Sequence, residues 1–282
     1  GSLYVNLFIP SVLKVREGMV LHQLTRFPDE ASSRLKLELD EPVETALRIR
    51  HPSWVRQGEF RVRVNGEWMQ GLASRPSSYV EIKRVWQDGD TVDLELPMHP
   101  WIERLPDESD WVALKYGPLL LASPVGDHHL DGLRADDSRM GHVAGGPLVP
   151  LNETRVLVRD ERKLEDLLAR EDSPEGLTFR LKGGFYPDDP KGLLLKPFAW
   201  LHDQRYQMYW EWLEPSAIET RQAELAEVER RNAAREAATL DYVAVGEQQS
   251  EVEHGFSGTD SSTGIDAGMR WREGVAFSYT LN

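Results

Sequence analysis

Period-two alternation dominates the first third of the chain and constrains its fold more than any other feature. Arg34 to Asp40, RLKLELD, sets Leu35, Leu37 and Leu39 on one side and Lys36, Glu38 and Asp40 on the other. Phe60 to Val64 repeats the pattern with Arg61 and Arg63 outward, and Thr91 to Leu96 with Val92, Leu94 and Leu96 inward. Such alternation is the signature of a strand with one buried and one wet face. Asn65-Gly66 reads as a tight hairpin and Asp88-Gly89 as a second turn. Leu3–Ile9, Val20–Phe27, Ala46–Arg50, Tyr79–Arg84 and Val112–Leu121 bring the count to about eight strands in about 120 residues, the density of a β-sandwich. Pro97 and Pro100 break the chain after one strand, and Pro118 marks an edge or a strand start.

The text then changes. Residues 126–150 are dominated by Gly, Asp, His and Pro and read as a linker. Thr178–Leu181, Leu193–Pro197 and Tyr206–Leu213 read as strands, with Tyr206, Met208, Trp210 and Trp212 on one face of the last; Leu164–Arg170 reads as a short helix. Pro215 stands where a first-turn proline belongs, and Ser216 to about Leu240 is rich in good helix formers, with Glu227 placed to pair with Arg231. Its apolar residues, Ile218, Leu225, Val228 and Leu240, form a thin stripe; a solvated helix joining two domains outweighs a partner-binding one. After Tyr242 the chain is Gly/Ser/Gln-rich to about Gly268, then strand-like from Met269. The expected fold class is mainly β: two antiparallel β-sandwich domains, one long helix and the start of a third domain. The boundaries are 1–125 for the first sandwich, 126–214 for a smaller β domain including its linker, 215–241 for the helix and 242–282 for the truncated opening of a further domain. Gly1-Ser2 reads as a cleavage scar, and both ends read as cuts in a longer protein.

Composition removes whole classes of function. Lys+Arg is 33 and Asp+Glu is 47 over 282 residues, a net charge of −14, which argues against a nucleic-acid partner. The apolar clusters Leu119–Ala122 and Leu193–Leu195 are core-sized and no run reaches membrane-span length, so no membrane partner is expected. There is no cysteine, which removes disulfides, zinc–thiolate sites and any thiol nucleophile, and leaves the compartment open. Phosphate-binding glycine loops, the G-x-S-x-G elbow and H-E-x-x-H do not occur.

Four stretches carry residues that could form a site. Asp127 to His142 gathers Asp127, His128, His129, Asp131, Asp136, Asp137 and His142, but adjacent histidines rarely aim at one ion, so a polar loop outweighs a metal site and no metal is expected. Phe198 to Trp212 brings His202, Asp203, Arg205 and Tyr206 next to a dense aromatic strand with Trp210. Sugars stack on Trp and Tyr and hydrogen-bond to Asp, Arg and His, so these five are the candidate carbohydrate-binding residues; the competing reading is a core strand with a salt-bridged turn. Asp188-Asp189, between two prolines, reads as a turn rather than a calcium site, and Asn152-Glu153-Thr154 as a chance sequon. No carboxylate pair stands in a context that forces burial, so no catalytic residue is assigned.

Leu3-Tyr4-Val5-Asn6-Leu7-Phe8-Ile9-Pro10-Ser11 closely resembles the segment that follows the catalytic barrel in glycoside hydrolase family 127, the β-L-arabinofuranosidase family. Further matches run in order: His51-Pro52-Ser53-Trp54, Val64-Asn65-Gly66, Tyr79-Val80-Glu81-Ile82 with Trp86 and Gly89-Asp90, Leu96-Pro97-Met98 and Tyr116-Gly117-Pro118-Leu119. Asp136 to His142, and His202-Asp203 with Arg205-Tyr206 and Tyr209-Trp210, also resemble longer members. The resemblance implies an (α/α)6 barrel upstream, whose cysteines and glutamate hold zinc and whose thiolate is the nucleophile. With no cysteine here no catalytic position carries over, and no cofactor is expected in these residues; the zinc belongs to the missing catalytic domain.

Three functions follow as expectations. The chain supports the barrel and one side of its substrate cleft, it binds plant glycans through Trp and Tyr faces, or it is an oligomerisation unit through the 216–240 helix. Its partners would be its own catalytic barrel, a carbohydrate or a second copy. Buried rings at Trp54, Trp101, Trp210 and Trp212 favour support; an exposed coplanar row favours binding. Near Leu3–Phe8 and the bend Pro97–Trp101, aromatics that a partner domain would otherwise bury are expected to face solvent.

Overall fold

The computed structural model describes residues 1–128, 130, 149–171, 173–174 and 176–281. The first core is enclosed by nine strands: β1 (Ser2–Val5), β2 (Ser11–Arg16), β3 (Met19–Leu24), β4 (Ser32–Leu39), β5 (Val43–His51), β6 (Arg61–Val64), β7 (Glu67–Trp68), β8 (Ser78–Trp86) and β9 (Thr91–Glu95). They form a three-stranded sheet β1-β5-β8 and a six-stranded sheet β2-β3-β4-β9-β6-β7, whose inner faces share one core. Leu35 and Leu37 on β4, Leu47 and Ile49 on β5, Val80 on β8 and Val92 on β9 are wholly buried, as the alternation requires. Each such leucine contributes roughly 2 kcal/mol of transfer free energy. The ring of Trp86 is fully buried and its Nε1 donates to the Thr45 carbonyl at 3.0 Å. Within these two sheets all pairings are antiparallel except β1 with β5, which runs parallel.

Asn65 and Gly66 join β6 to β7 with φ of 51° and 86°, the left-handed pair of a two-residue hairpin. The Asn65 side chain also donates to Asp90 Oδ1 at 2.8 Å and accepts from the Thr91 N–H at 2.8 Å, which ties the turn to β9.

The second core is built by β10 (Pro100–Arg104), β11 (Trp111–Tyr116), β12 (Leu119–Gly126), β13 (Val156–Val158), β14 (Leu168–Glu171), β15 (Thr178–Leu181), β16 (Phe185–Tyr186), β17 (Leu193–Pro197), β18 (Arg205–Gln207) and β19 (Tyr209–Leu213). These strands connect as one network ordered β14-β15-β17-β12-β11-β19-β13-β16, with β10 on β11 and β18 on β12. The single expected strand Val112–Leu121 is therefore two strands, folded back at Gly117, and both pair within the second network. Alternation shows which face of a strand is buried but not which sheet it joins. Gly117 has φ +54°, and a Cβ there would stand 2.5 Å from Met98 Cγ. The expected helix Leu164–Arg170 is one turn, α1 (Leu164–Leu167), running directly into β14. Strands β2 and β10 carry no clean alternation and were not foreseen.

Gly1–Gly126 and Arg155–Pro215 form one compact unit. Within it, His99 Nε2 meets Glu59 Oε2 at 2.5 Å, and Arg56 is ion-paired with Glu165. The other unit is Asp127–Thr154 with Ser216–Asn282. It holds most of the long helix α2 (Pro215–Ala237), the short α3 (Gln248–Glu253), and the hairpin of β20 (Ser257–Asp266) and β21 (Met269–Ser278). On α2 only Ile218 and Leu225, seven residues apart, are buried; of the other two residues of the expected stripe, Val228 is half-buried and Leu240 lies beyond the end of the helix, 99% exposed. No helix among the described residues is long and apolar enough to cross a membrane.

Candidate functional site

The first β-sandwich exposes an apolar segment beside a rigid aromatic cluster. β1 delivers Tyr4 to the outer face of the three-stranded sheet, where register aligns Tyr4, Arg48 and Glu81 across β1, β5 and β8. Arg48 donates to Tyr4 Oη at 2.5 Å and to Glu81 Oε2 at 2.7 Å. The Tyr4 bond, then the Glu81 one, raise the guanidinium's pKa and keep it charged. Tyr79 meets Tyr4 edge-on at 5.3 Å and donates to Asn6 Oδ1 at 2.7 Å. Three hydrogen bonds and one ring contact thus fix two half-exposed tyrosines in place.

From Asn6 the chain leaves the sheet. Phe8 plugs into the core against Phe27, ring centroids 5.9 Å apart, and Gln23 Nε2 donates to the Leu7 carbonyl at 3.0 Å. Anchored at Phe8, the segment must turn its flanking side chains outward. Leu7 is 63% exposed, Ile9 54%, and on β2 Val12 62% and Leu13 50%. Scattered exposed leucines are ordinary, but Leu7 and Ile9 flank one buried anchor on a pinned backbone and are of the kind that partners cover, whereas Val12 and Leu13, consecutive on β2, face opposite sides of the sheet. The sequence carried the signal: alternation fails at Leu7-Phe8-Ile9, which is apolar on both sides. The bend Pro97–Trp101 differs, since Met98 is buried and Trp101 is half-buried, its Nε1 donating to the Gly117 carbonyl at 2.8 Å.

The five candidate carbohydrate residues separate into two environments. His202 and Asp203 lie exposed in a turn, with Asp203 at φ 52°, and Arg205 and Tyr206 follow on β18. Tyr206 packs edge-on against Phe198 at 5.0 Å and remains 42% exposed. Trp210 is wholly buried opposite Val112, with no ring face open to a sugar. The chain changes partner between Gln207, which pairs with β12, and Tyr209, which pairs with β11, so Tyr206 and Trp210 do not share a surface. Trp212 lies half-buried at the second core under the guanidiniums of Arg104 and Arg159, and Trp54 stacks on Phe27.

Among the described residues no group of three or more His, Cys, Asp or Glu is placed to hold a metal ion. The cysteine-based zinc set implied by the resemblance does not fit this chain, and no chemistry is routed through it. Most of the Asp127–His142 stretch, His129 and 131–148, lies outside the described residues. At Asp188-Asp189, Asp189 Oδ1 accepts the Lys191 N–H at 2.9 Å and its carbonyl the Gly192 N–H at 2.8 Å, which makes the segment a turn.

Residues 2–98 match the family model for the middle domain of glycoside hydrolase family 127, β-L-arabinofuranosidase. Residues 101–212 match a domain of unknown function, DUF4986, and 234–282 a family of unknown function, DUF6805. No curated protein matches the chain. Among solved structures, Ara127N-Se, a family 127 β-L-arabinofuranosidase from Geobacillus stearothermophilus T6, is similar with a TM-score of 0.51 and 22% identity, over 75% of this chain and 34% of that one. The family 127 β-arabinofuranosidase BT3674 is similar with a TM-score of 0.52 and 21% identity, over 77% of this chain and 35% of that one. At these identities the likeness is one of fold. This chain spans about a third of the length of the structures it matches.

Proposed function

We propose that this chain, which carries the middle domain of glycoside hydrolase family 127 in residues 2–98, is a non-catalytic β-sandwich region that seats a catalytic domain. The observation that supports this most is the pinned apolar segment: Leu7 and Ile9 are exposed on a backbone held by Phe8 and Gln23. An apolar patch of fixed shape favours a permanent neighbour, because little conformational entropy is lost when it is covered. The covering domain would be the catalytic one, and any zinc would be held there. The full burial of Trp210 and the stacking of Trp54 on Phe27 favour support over sugar binding at those rings.

The test uses the complete polypeptide that carries these residues. Leu7→Glu with Ile9→Glu should leave the sandwich folded and loosen the catalytic domain from it, read as faster proteolysis between the two and a larger radius of gyration. Unchanged proteolysis and radius would overturn the docking role. Turnover of an aryl β-L-arabinofuranoside by the 282-residue chain alone, above a heat-inactivated control, would overturn the non-catalytic role.

A further inference from the structure

We infer that the outer face of the six-stranded sheet is a saccharide-binding surface, built on a row of five residues that sequence distance conceals. Register sets Leu24 opposite Arg34, Arg34 opposite Asp93, Asp93 opposite Arg63, and Arg63 opposite Trp68. One residue from each of β3, β4, β9, β6 and β7 therefore forms a line straight across the sheet. At the usual strand spacing of ~4.8 Å the line is ~19 Å long, the reach of a short oligosaccharide. Leu24, Arg34, Asp93 and Arg63 point outward, because their chain neighbours Gln23, Leu35, Leu94, Val62 and Val64 are buried, and register sets Trp68 beside Arg63 on the same face.

The groups on this face are held in place. Arg34 Nε donates to Asp93 Oδ1 at 2.5 Å. Arg63 and Arg61 approach the two oxygens of Glu95 at 3.2 and 3.4 Å. Both guanidiniums also lie over the Trp68 ring, with Cζ 4.2 and 3.7 Å from its centroid. A solvated strand face needs charge but not this order. Stacked, carboxylate-clamped arginines have already lost the side-chain freedom that binding would otherwise cost. An open cavity of about 480 Å³ lies on the row, lined by Leu24, Thr25, Arg34, Asp93 and Arg63, within the ~300–1,000 Å³ range of small-molecule sites.

The chemistry selects the ligand class. Three guanidiniums here share two carboxylates, Asp93 and Glu95, so the row is close to charge balance and offers a polyanion a single excess positive charge. It offers alternating donors and acceptors in planar groups, with apolar Leu24 at one end and Trp68 at the other. A sugar hydroxyl both donates and accepts, so a neutral oligosaccharide matches this alternation along its length. The inference rests on reading the chain as part of a carbohydrate-active protein, but not on docking through Leu7 and Ile9.

Isothermal titration of the 282-residue chain against neutral arabino-, xylo- and gluco-oligosaccharides, with polygalacturonate as the polyanion, tests it. Saturable binding of at least one neutral series is expected. Arg34→Ala combined with Asp93→Ala, and separately Trp68→Ala, should weaken it at least tenfold, while Glu103→Ala should leave it unchanged. Should Trp68→Ala lower the melting temperature, the near-isosteric pair Arg34→Gln and Asp93→Asn decides. No saturable binding of any neutral series, binding that survives the row substitutions, or binding of polygalacturonate alone would overturn the site. Those outcomes leave the proteolysis result for Leu7 and Ile9 untouched, so either reading can fail without the other.

Discussion

His51 donates from Nε2 to the backbone carbonyl of Val55 at 3.0 Å, closing the loop that carries Pro52, Ser53 and Trp54. A carbonyl only accepts, so Nε2 carries the hydrogen and Nδ1 is left to accept from the Ser74 hydroxyl, 2.6 Å away. The ring is completely buried and stacks on Phe60 with centroids 4.9 Å apart. Every contact suits the neutral imidazole.

That environment fixes a pH dependence. Burial lowers the His51 pKa below its ordinary 6.5, with the Val55 hydrogen bond opposing. A base whose folded pKa is depressed stabilises the fold above its unfolded pKa, and the contribution is lost as pH falls from there through the folded value. Urea unfolding of the wild type between pH 8 and pH 5 should therefore show a loss below pH 6.5 that His51→Gln reduces. Parallel profiles for the two proteins would show that His51 titrates alike in the folded and unfolded states.

Glu251 and Arg272 form the corresponding pin in the other unit. Arg272 Nη2 donates to Glu251 at 2.5 and 2.7 Å, and the same carboxylate accepts from the Gly246 N–H at 2.8 Å and Tyr279 Oη at 2.9 Å. These bonds join α3 to the β20–β21 hairpin, and a two-stranded hairpin is marginal by itself. Glu251→Ala leaves a guanidinium without its partner. Amide exchange across residues 257–278 should accelerate well beyond any change in β4 or β5. Equal protection in mutant and wild type would remove Glu251 from this role.

Gly117 and Met98 provide a packing test. Alanine at Gly117 meets both the left-handed φ and the Met98 side chain, so Gly117→Ala should cost at least ~1 kcal/mol in urea unfolding. Met98→Ala removes the clash but not the backbone strain. The double substitution should therefore cost less than the sum of the singles and more than Met98→Ala alone. Strict additivity would show that the two positions do not meet.

Much of the first sandwich was legible in the sequence. Leu35, Leu37 and Leu39 announce a buried face because a strand turns each successive side chain over, and Asn65-Gly66 announces its hairpin because both residues tolerate positive φ. The five candidate sugar residues were legible only as neighbours in sequence. Tyr206 and Trp210 have the spacing of one strand face, yet the chain leaves β12 for β11 between them, and one ring is exposed while the other is buried.

By itself, then, the sequence determined the local alternation, the turns, the long helix and the absence of any thiol chemistry, because each depends on residues a few positions apart. Only the tertiary structure decided that Arg34 meets Asp93, that Arg63 stacks on Trp68, and that Leu7 and Ile9 are held outward by Phe8 and Gln23. The physical reason is that alternation is a property of one strand, whereas register is set between strands. Arg34 and Asp93 are 59 residues apart, and they become neighbours only when the core beneath them aligns Leu35 with Val92.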